Sequence, residues 1–322
     1  MDFLLFDSGP SPHRILLFST MENLRTLSQC DHWFMDGTFK SAPPLFTQIF
    51  SVHGLKSKRT FPLVYGLLPN KEEDSYTRFL TAMNALAQSA QVTFKPTSVL
   101  TDFEFGTLNG IDTVFPTAEK RGCYFHHTQC IWRHLQEFPN ILARYNSDPD
   151  FSLHVRQLAA LAFVPTPAVT QSFDILMNTP FFEANEALLR PLLDYYEDTW
   201  IGRTRRGGRR PPLFPHAPWN CFETTAFQNP RTNNTVEGWH RRFNTMVGKS
   251  HPSIWILIDN LKIEQSVVEM KVNQMVAGTP SHPRRKPYRK LDSRLVRIVE
   301  DYENLPVSDY LLGIAHNIRF YD

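Results

Sequence analysis

Apolar positions in the first third of the chain alternate or run together over short stretches, which is the spacing of strands. Residues 32–39 are rich in aromatics and end at Gly37-Thr38. LFTQIFSVH (45–53) reads as a second strand and TFPLVYGLL (60–68) as a third, with the short polar link 54–59 as the turn of a hairpin. Pro62 lacks an N–H and marks the start or edge of the third strand. The period then changes to that of a helix. Asp74 and Ser75 can cap it, and Tyr76, Phe79, Leu80, Met83, Leu86 and Ala87 recur on one face. SVLT (98–101) is a short buried strand that ends at Asp102. Residues 123–125 read as one more strand, followed by a helix through Trp132 and Leu135.

Three meandering strands, a helix and a parallel strand are the signature of a ribonuclease-H-like α/β fold. The expected architecture is a mixed five-stranded sheet with flanking helices. In that topology the first and fourth strands are neighbours, so Asp36 and Asp102 are brought together although 66 residues apart. From about residue 150 the pattern is helical: 151–163, 167–177 and 181–200. A basic loop follows, GRTRRGGRRPP (202–212), full of turn residues. Another helix begins near Asn233 and passes Phe243, and a long one covers 253–274. The predicted organisation is a lead-in segment (1–30), a core made of 31–149 and 228–278, an all-helical insertion with the basic loop (150–227), and an exposed basic C-terminal tail (279–322).

Composition narrows the class only a little. With 42% hydrophobic, 20% charged and 13% aromatic residues over 322 positions, a real core can be buried and wholesale disorder is excluded. A net charge of +2 neither supports nor excludes a nucleic-acid partner, which needs only a local cationic surface. Four cysteines are too few for a disulfide scaffold in a chain this long, and they read as reduced thiols of the cytosol or nucleus. The first ten residues lack the basic and apolar regions of a signal peptide, and no apolar run reaches the length of a membrane span.

Three acids stand out. Asp36 lies among aromatics in WFMDG, where a carboxylate is costly to bury unless it is paired or binds metal. Taken alone it reads more readily as a strand-end turn with Gly37. Asp102 ends an apolar strand, where Asp also serves as a helix N-cap. Glu237, in RTNNTVEGWH (231–240), falls early in a helix capped by Asn233 or Asn234, where a glutamate already suits the helix dipole, and it shares a face with His240. The set is more specific than its members. Two-metal phosphodiester chemistry needs a few hard oxygen ligands around two divalent ions, and two strand-end Asp plus a late helical Glu supply them.

Several segments go beyond a generic pattern: WFMDGTFK (33–40), LFTQIFSVHG (45–54), FPLVYGLLPNKEEDSYTRFL (61–80), LTDFEFG (100–106), GCYFHHTQCIWR (122–133) and RTNNTVEGWHRRFN (231–244). With these the chain resembles, nearly end to end, the transposase domain of Mutator-like elements, a family similar to ribonuclease-H-like DDE recombinases. The resemblance places the family's Asp, Asp and Glu on Asp36, Asp102 and Glu237, as catalytic groups and as ligands of two Mg²⁺ or Mn²⁺ ions. The 135-residue gap from Asp102 to Glu237 fits a helical insertion before the last acid. The implied activity is metal-dependent cleavage and strand transfer on double-stranded DNA, at transposon ends and target, in the nucleus. Homodimers are common among such enzymes, though the sequence displays no self-complementary surface. Family members commonly carry an N-terminal zinc-finger-like domain, for which the stretch before Asp36 is too short, so the expectation is either a fragment of a longer protein or a truncated or domesticated relic. The rival expectation is a domesticated, inactive, transposase-derived DNA-binding or regulatory protein.

Cys123 and His126 match the family's CxxH motif. It is half a zinc site, for which His127, Cys130, His134 and, from the later helix, His240 are further candidates; the alternatives are burial or DNA contact. Arg203, Arg205, Arg206, Arg209 and Arg210 suit contact with a DNA backbone. Arg284, Arg285, Lys286, Arg289 and Lys290 form a second cluster, readable as backbone contact or as a nuclear localisation patch. Trp200, Trp219 and Trp239 are expected in the core.

Overall fold

The computed structural model describes residues 3–280 and 286–320. It divides into two compact units, one of residues 1–120 and 233–283, the other of residues 121–232 and 284–322. Among the described residues no helix is long and apolar enough to cross a membrane.

The first unit is built on a mixed sheet. In chain order its elements are β1 (Leu4–Asp7), β2 (Leu16–Phe18), α1 (Met21–Ser28), β3 (His32–Thr38), β4 (Gln48–Lys56), β5 (Arg59–Leu68), α2 (Glu73–Ser89), β6 (Ser98–Thr101), α3 (Phe105–Val114) and β7 (Glu119–Gly122). The sheet order is β1-β2-β5-β4-β3-β6-β7. The meander β3–β4–β5 is antiparallel and β6 joins β3 in parallel, as expected. The sheet has seven strands, not five. Residues 1–30 are not a lead-in: they contribute β1, β2 and α1, with β2 pairing along the free edge of β5. An edge strand leaves unpaired backbone groups, and β2 covers those of β5. The strand expected at 123–125 lies earlier, at β7, and Cys123 instead precedes the first turn of a helix.

Pro62 sits in an interior strand. It lies opposite His53, where the β4–β5 register slips, and beyond the stretch 65–67 that β2 pairs with. Its missing N–H is therefore tolerated for a local reason. Both faces of the sheet are buried. On β2, Leu17 joins one apolar cluster with α1, α2 and the aromatics Trp33, Phe50 and Phe79, while Leu16 and Phe18 join a second. That second cluster holds Trp239, Phe243 and Val247 of the helix Asn234–Val247, and Leu257 and Leu261 of the helix Ile254–Val276. Two-sided burial explains why the strands read as nearly continuous apolar runs.

The second unit is almost wholly helical. The predicted helices are present, as Pro149–Ala160, Val169–Met177, Pro180–Ala184 and Glu186–Tyr196. The unit begins near residue 121 rather than 150, because the helix Tyr124–Gln136 buries Ile131 and Leu135 and packs on Pro139–Ser147 and Glu186–Tyr196. Trp200 and Trp219 are fully buried, with His127 stacked on Trp219 at 5.1 Å. The described C-terminal residues, 286–320, are not a tail. Helices Lys286–Glu300 and Val307–Ala315 belong to this unit, held by Arg231 to Asp292 (2.6 Å) and by the Arg156 guanidinium donating to the Ile318 carbonyl (3.0 Å). Their apolar faces need a partner, and Leu311 and Ile314 find one against Pro149–Ala160.

Candidate active site

The β3–β6 ladder pairs His32 with Ser98, Trp33 with Val99 and Phe34 with Leu100. Two residues past the last pair, on each strand, stand Asp36 and Asp102. Strands in a sheet are about 4.8 Å apart, so the ladder brings the two acids level and side by side. Asp102 does not cap α3: its N-cap is Glu104, and Asp102 lies ahead of the helix with its carboxylate free of that task.

The third acid arrives on the helix Asn234–Val247. Asn233, one of the two expected caps, stands at its N-cap position but makes no side-chain capping bond, and Gly248 in left-handed conformation ends it. Trp239, Phe243 and Val247, four apart, turn into the core. That rotation puts Glu237, His240 and Asn244 on another face. His240 Nδ1 lies 3.5 Å from Asp36 Oδ2. The Ser41 hydroxyl donates to Asn244 Oδ1 at 2.5 Å, and Asn244 Nδ2 donates to Thr38 Oγ1 at 3.3 Å. The helix is thus pinned along β3, with Glu237 one turn before His240.

Burial raises the pKa of all three acids. Asp36 is 8% exposed, and its pKa is pushed up to about 8, by burial first and then by the charges of Asp102 and Glu237; the Gly37 amide and Lys71 oppose this. Asp102 is raised by burial and by Glu104, against the pull of Lys71. Glu237 is raised by burial and lowered by Arg241, 3.8 Å away. Three carboxyl groups held in poor solvation are costly as anions, and a divalent cation would relieve that cost. The donor set, hard oxygens from two Asp and one Glu, fits Mg²⁺ or Mn²⁺.

A polar chain leads inward from Asp36. His240 Nε2 is 3.3 Å from Ser51 Oγ, and Ser51 Oγ is 2.9 Å from His53 Nε2. Burial holds His240 down at about 4 and His53 well below the usual histidine range, so both rings are neutral. The Ser51 hydroxyl donates to the Asp36 backbone carbonyl at 3.3 Å, so one assignment satisfies every contact: His53 Nε2–H and His240 Nε2–H both donate to Ser51 Oγ, and His240 Nδ1 is left to accept from the Asp36 carboxyl. His240 is therefore engaged by Asp36 and Ser51 inside the first unit.

Some contributors escaped the sequence reading. Lys71 sits 3.0 Å from Glu104 and 4.4 Å from the centre of the Phe39 ring, and it lowers the pKa of both Asp36 and Asp102. Glu104 accepts from the Tyr76 hydroxyl at 2.5 Å. Ser51 and His53 form the polar chain. The only sequence signal for them was polarity inside apolar strands, which marks Ser51 and His53 but not the exposed Lys71.

The remaining candidates lie in the second unit. Cys123 is buried at the start of the helix Tyr124–Gln136, and His126, one turn on, is held down at about 4 by burial and by Arg133. In the basic loop, Arg203 and Arg210 pair with Asp198 at 2.8 and 2.6 Å, and Arg209 pairs with Asp174 and with Glu197. Arg205 and Arg206 are exposed at the turn between the strands Thr204–Arg205 and Gly208–Arg209. Of the second cluster, Lys286, Arg289 and Lys290 open the helix Lys286–Glu300 and are exposed, while Arg284 and Arg285 lie outside the described residues.

Residues 32–130 match the family model described as MULE transposase domain. The matched stretch contains Asp36 and Asp102 and stops short of Glu237. No curated protein matches the chain.

Proposed function

We propose that the first unit is the catalytic core of a DNA transposase that cleaves and joins strands with a DDE triad, Asp36, Asp102 and Glu237. The observation that carries this reading is the level placement of Asp36 and Asp102 on neighbouring parallel strands, with the Glu237–His240 face pinned against Asp36. The transposase family match over residues 32–130 supports the same class.

Asp36, Asp102 and Glu237 would hold two Mg²⁺ or Mn²⁺ ions, which supply an acidified nucleophile and charge stabilisation at the phosphate. The chain's own groups do the rest. His240, fixed by Ser51, orients Asp36. Lys71 offsets the negative charge beside Asp36 and Asp102. Apolar packing beneath β3 and β6 keeps the acids from swinging away. In the first reaction a water oxygen bonds to phosphorus and the 3′-oxygen departs, leaving a 3′-hydroxyl. In the second, that hydroxyl attacks a target phosphodiester and releases a new 3′-hydroxyl. Arg205 and Arg206 are positioned by their exposure for phosphate contact in the second unit.

The test is nicking and joining of a labelled duplex with Mg²⁺ or Mn²⁺. Asp36→Asn, Asp102→Asn and Glu237→Gln should each lower nicking by about a thousand-fold while circular dichroism stays unchanged, because each removes one of few metal ligands. EDTA should abolish the reaction. Nicking by any one variant at the wild-type rate and equal folding would remove that acid from the triad. Metal-independent binding with no cleavage under any divalent ion points instead to a DNA-binding relic, and hydrolysis without joining to a plain nuclease.

A further inference from the structure

The helix Lys286–Glu300 is docked in the second unit by one face. Leu295 and Val299 are buried, and the helix packs on Phe222–Ala226 and Val307–Ala315. Successive residues of a helix turn by about 100°, so Lys286, Lys290, Arg294 and Arg297 fall within a stripe about 80° wide on the opposite side, with Arg289 at its flank. All five are exposed. Residues three or four apart climb a helix by about 4.5–6 Å, so the stripe is a rigid row of cations spaced by single turns.

Ion pairing separates the two basic clusters. In the loop 202–212, Arg203 and Arg210 are neutralised by Asp198, and Arg209 by Asp174 and Glu197. On the helix, none of the five cations has an ion-pair partner among the described residues. The acid that lies among them in sequence, Asp292, is taken by Arg231 at 2.6 Å, and the first turn holds no acid. Like charges four apart on a helix repel, and cations early in a helix meet the positive end of its dipole. The bare stripe is therefore unfavourable, and a bound anion relieves it.

The helix spends Leu295 and Val299 on the core, so the stripe recruits a partner by charge rather than by apolar area. A row of one sign at turn spacing suits a polyanion with regularly spaced charges. Duplex DNA carries roughly one phosphate charge per 1.7 Å of its axis, and lysine and arginine neutralise it with release of counterions.

We propose that the Lys286–Lys290–Arg294–Arg297 face grips the phosphate backbone of double-stranded DNA, and that this face, not the internally paired arginines of the loop 202–212, supplies the main electrostatic hold of the second unit. The choice of duplex DNA among polyanions rests on the DNA-acting function proposed above.

The test is fluorescence-anisotropy titration of a labelled random-sequence duplex with the full chain in EDTA, over a range of salt concentrations, with unlabelled duplex and polyglutamate as competitors. The variants are Lys290→Gln, Arg294→Gln and Arg297→Gln, singly and together, with Lys95→Gln, an exposed cation of the first unit, as the charge control. Each stripe variant should reduce the slope of log K against log salt by about 0.9 and weaken binding by about eight-fold at about 0.1 M salt, with circular dichroism unchanged; Lys95→Gln should alter neither. The proposal is overturned if the wild type does not bind the duplex, if the triple variant keeps the wild-type slope, or if Lys95→Gln lowers the slope as much. It is also overturned if polyglutamate competes as well as unlabelled duplex at equal charge, which would mark the face for an acidic protein. Asp36→Asn should bind as wild type in EDTA. A wild-type slope in the triple variant beside metal-dependent nicking would remove the stripe alone, and a reduced slope beside normal nicking by Asp36→Asn would remove the triad alone.

Discussion

The imidazole Nδ1 of His240 lies 3.5 Å from Oδ2 of Asp36, with each side chain about a tenth exposed. At that distance the contact looks like an ion pair, yet the pKa values point the other way. Burial pulls His240 down to about 4 and, with Asp102 and Glu237, pushes Asp36 up to about 8. We take the neutral form: in the metal-free protein at pH 7 an uncharged imidazole faces a protonated carboxyl. His240 there acts by geometry, not by charge.

The first consequence concerns stability. Asp36 has a folded pKa of about 8 against 3.8 for an ordinary Asp, so its favourable contribution is complete below pH 4 and is lost as pH rises through 8. Without metal, wild type should therefore lose stability between pH 4 and pH 8 relative to Asp36→Asn. At pH 8 the variant should be the more stable, by on the order of a few kcal/mol. Urea unfolding in EDTA at pH 5 and pH 8 measures this. A variant less stable than wild type at both values contradicts the assignment.

Metal binding should reverse the same balance. A carboxylate must lose its proton to ligate, so Mn²⁺ uptake at pH 7 should release about one proton per protein, and affinity should climb with pH up to about 8. Calorimetry in buffers of different ionisation enthalpy counts the protons. Uptake without proton release would mean that Asp36 is not a ligand.

His240 should matter to metal binding without being a ligand itself. His240→Ala removes the group that orients Asp36 and should weaken Mn²⁺ binding by about ten-fold or more, the usual effect of losing a hydrogen-bonded partner of a metal ligand. His240→Gln, whose amide can still hydrogen-bond to Asp36, should restore part of the affinity. Equal loss in both, with equal loss of thermal stability, would make His240 merely structural.

Two glycines should respond in opposite directions. A Cβ at Gly66 would lie 2.5 Å from the Phe79 ring, which is fully buried, so Gly66→Ala should cost about 1–3 kcal/mol. A Cβ at Gly238 meets nothing within 4 Å inside a helix, so Gly238→Ala should add about 0.5–1 kcal/mol. Denaturant midpoints decide both. A stabilised Gly66→Ala would show that the ring can move aside.

Much of the site was legible in one dimension. The period-2 runs, the helix after residue 72 and the strand ending at Asp102 specify local elements, because apolar spacing and turn residues act within a few neighbours. The topology those elements imply already places Asp36 beside Asp102. Glu237 was marked by residue type and by the family resemblance.

What the tertiary structure alone decided follows from pairing and burial at a distance. Three residues, Leu16–Phe18, carry no usable period, and only the open edge of β5 makes them a strand. The C-terminal helices look exposed and basic in the sequence, but Arg231 and the helix Pro149–Ala160 claim them. Three of the five loop arginines are engaged by Asp198, Asp174 and Glu197, acids that the sequence does not mark as their partners. The chain from Asp36 through His240 and Ser51 to His53 depends on which way each buried side chain turns. Composition and spacing set which faces are apolar, whereas the partner a buried polar atom finds is set by packing between elements far apart in the chain.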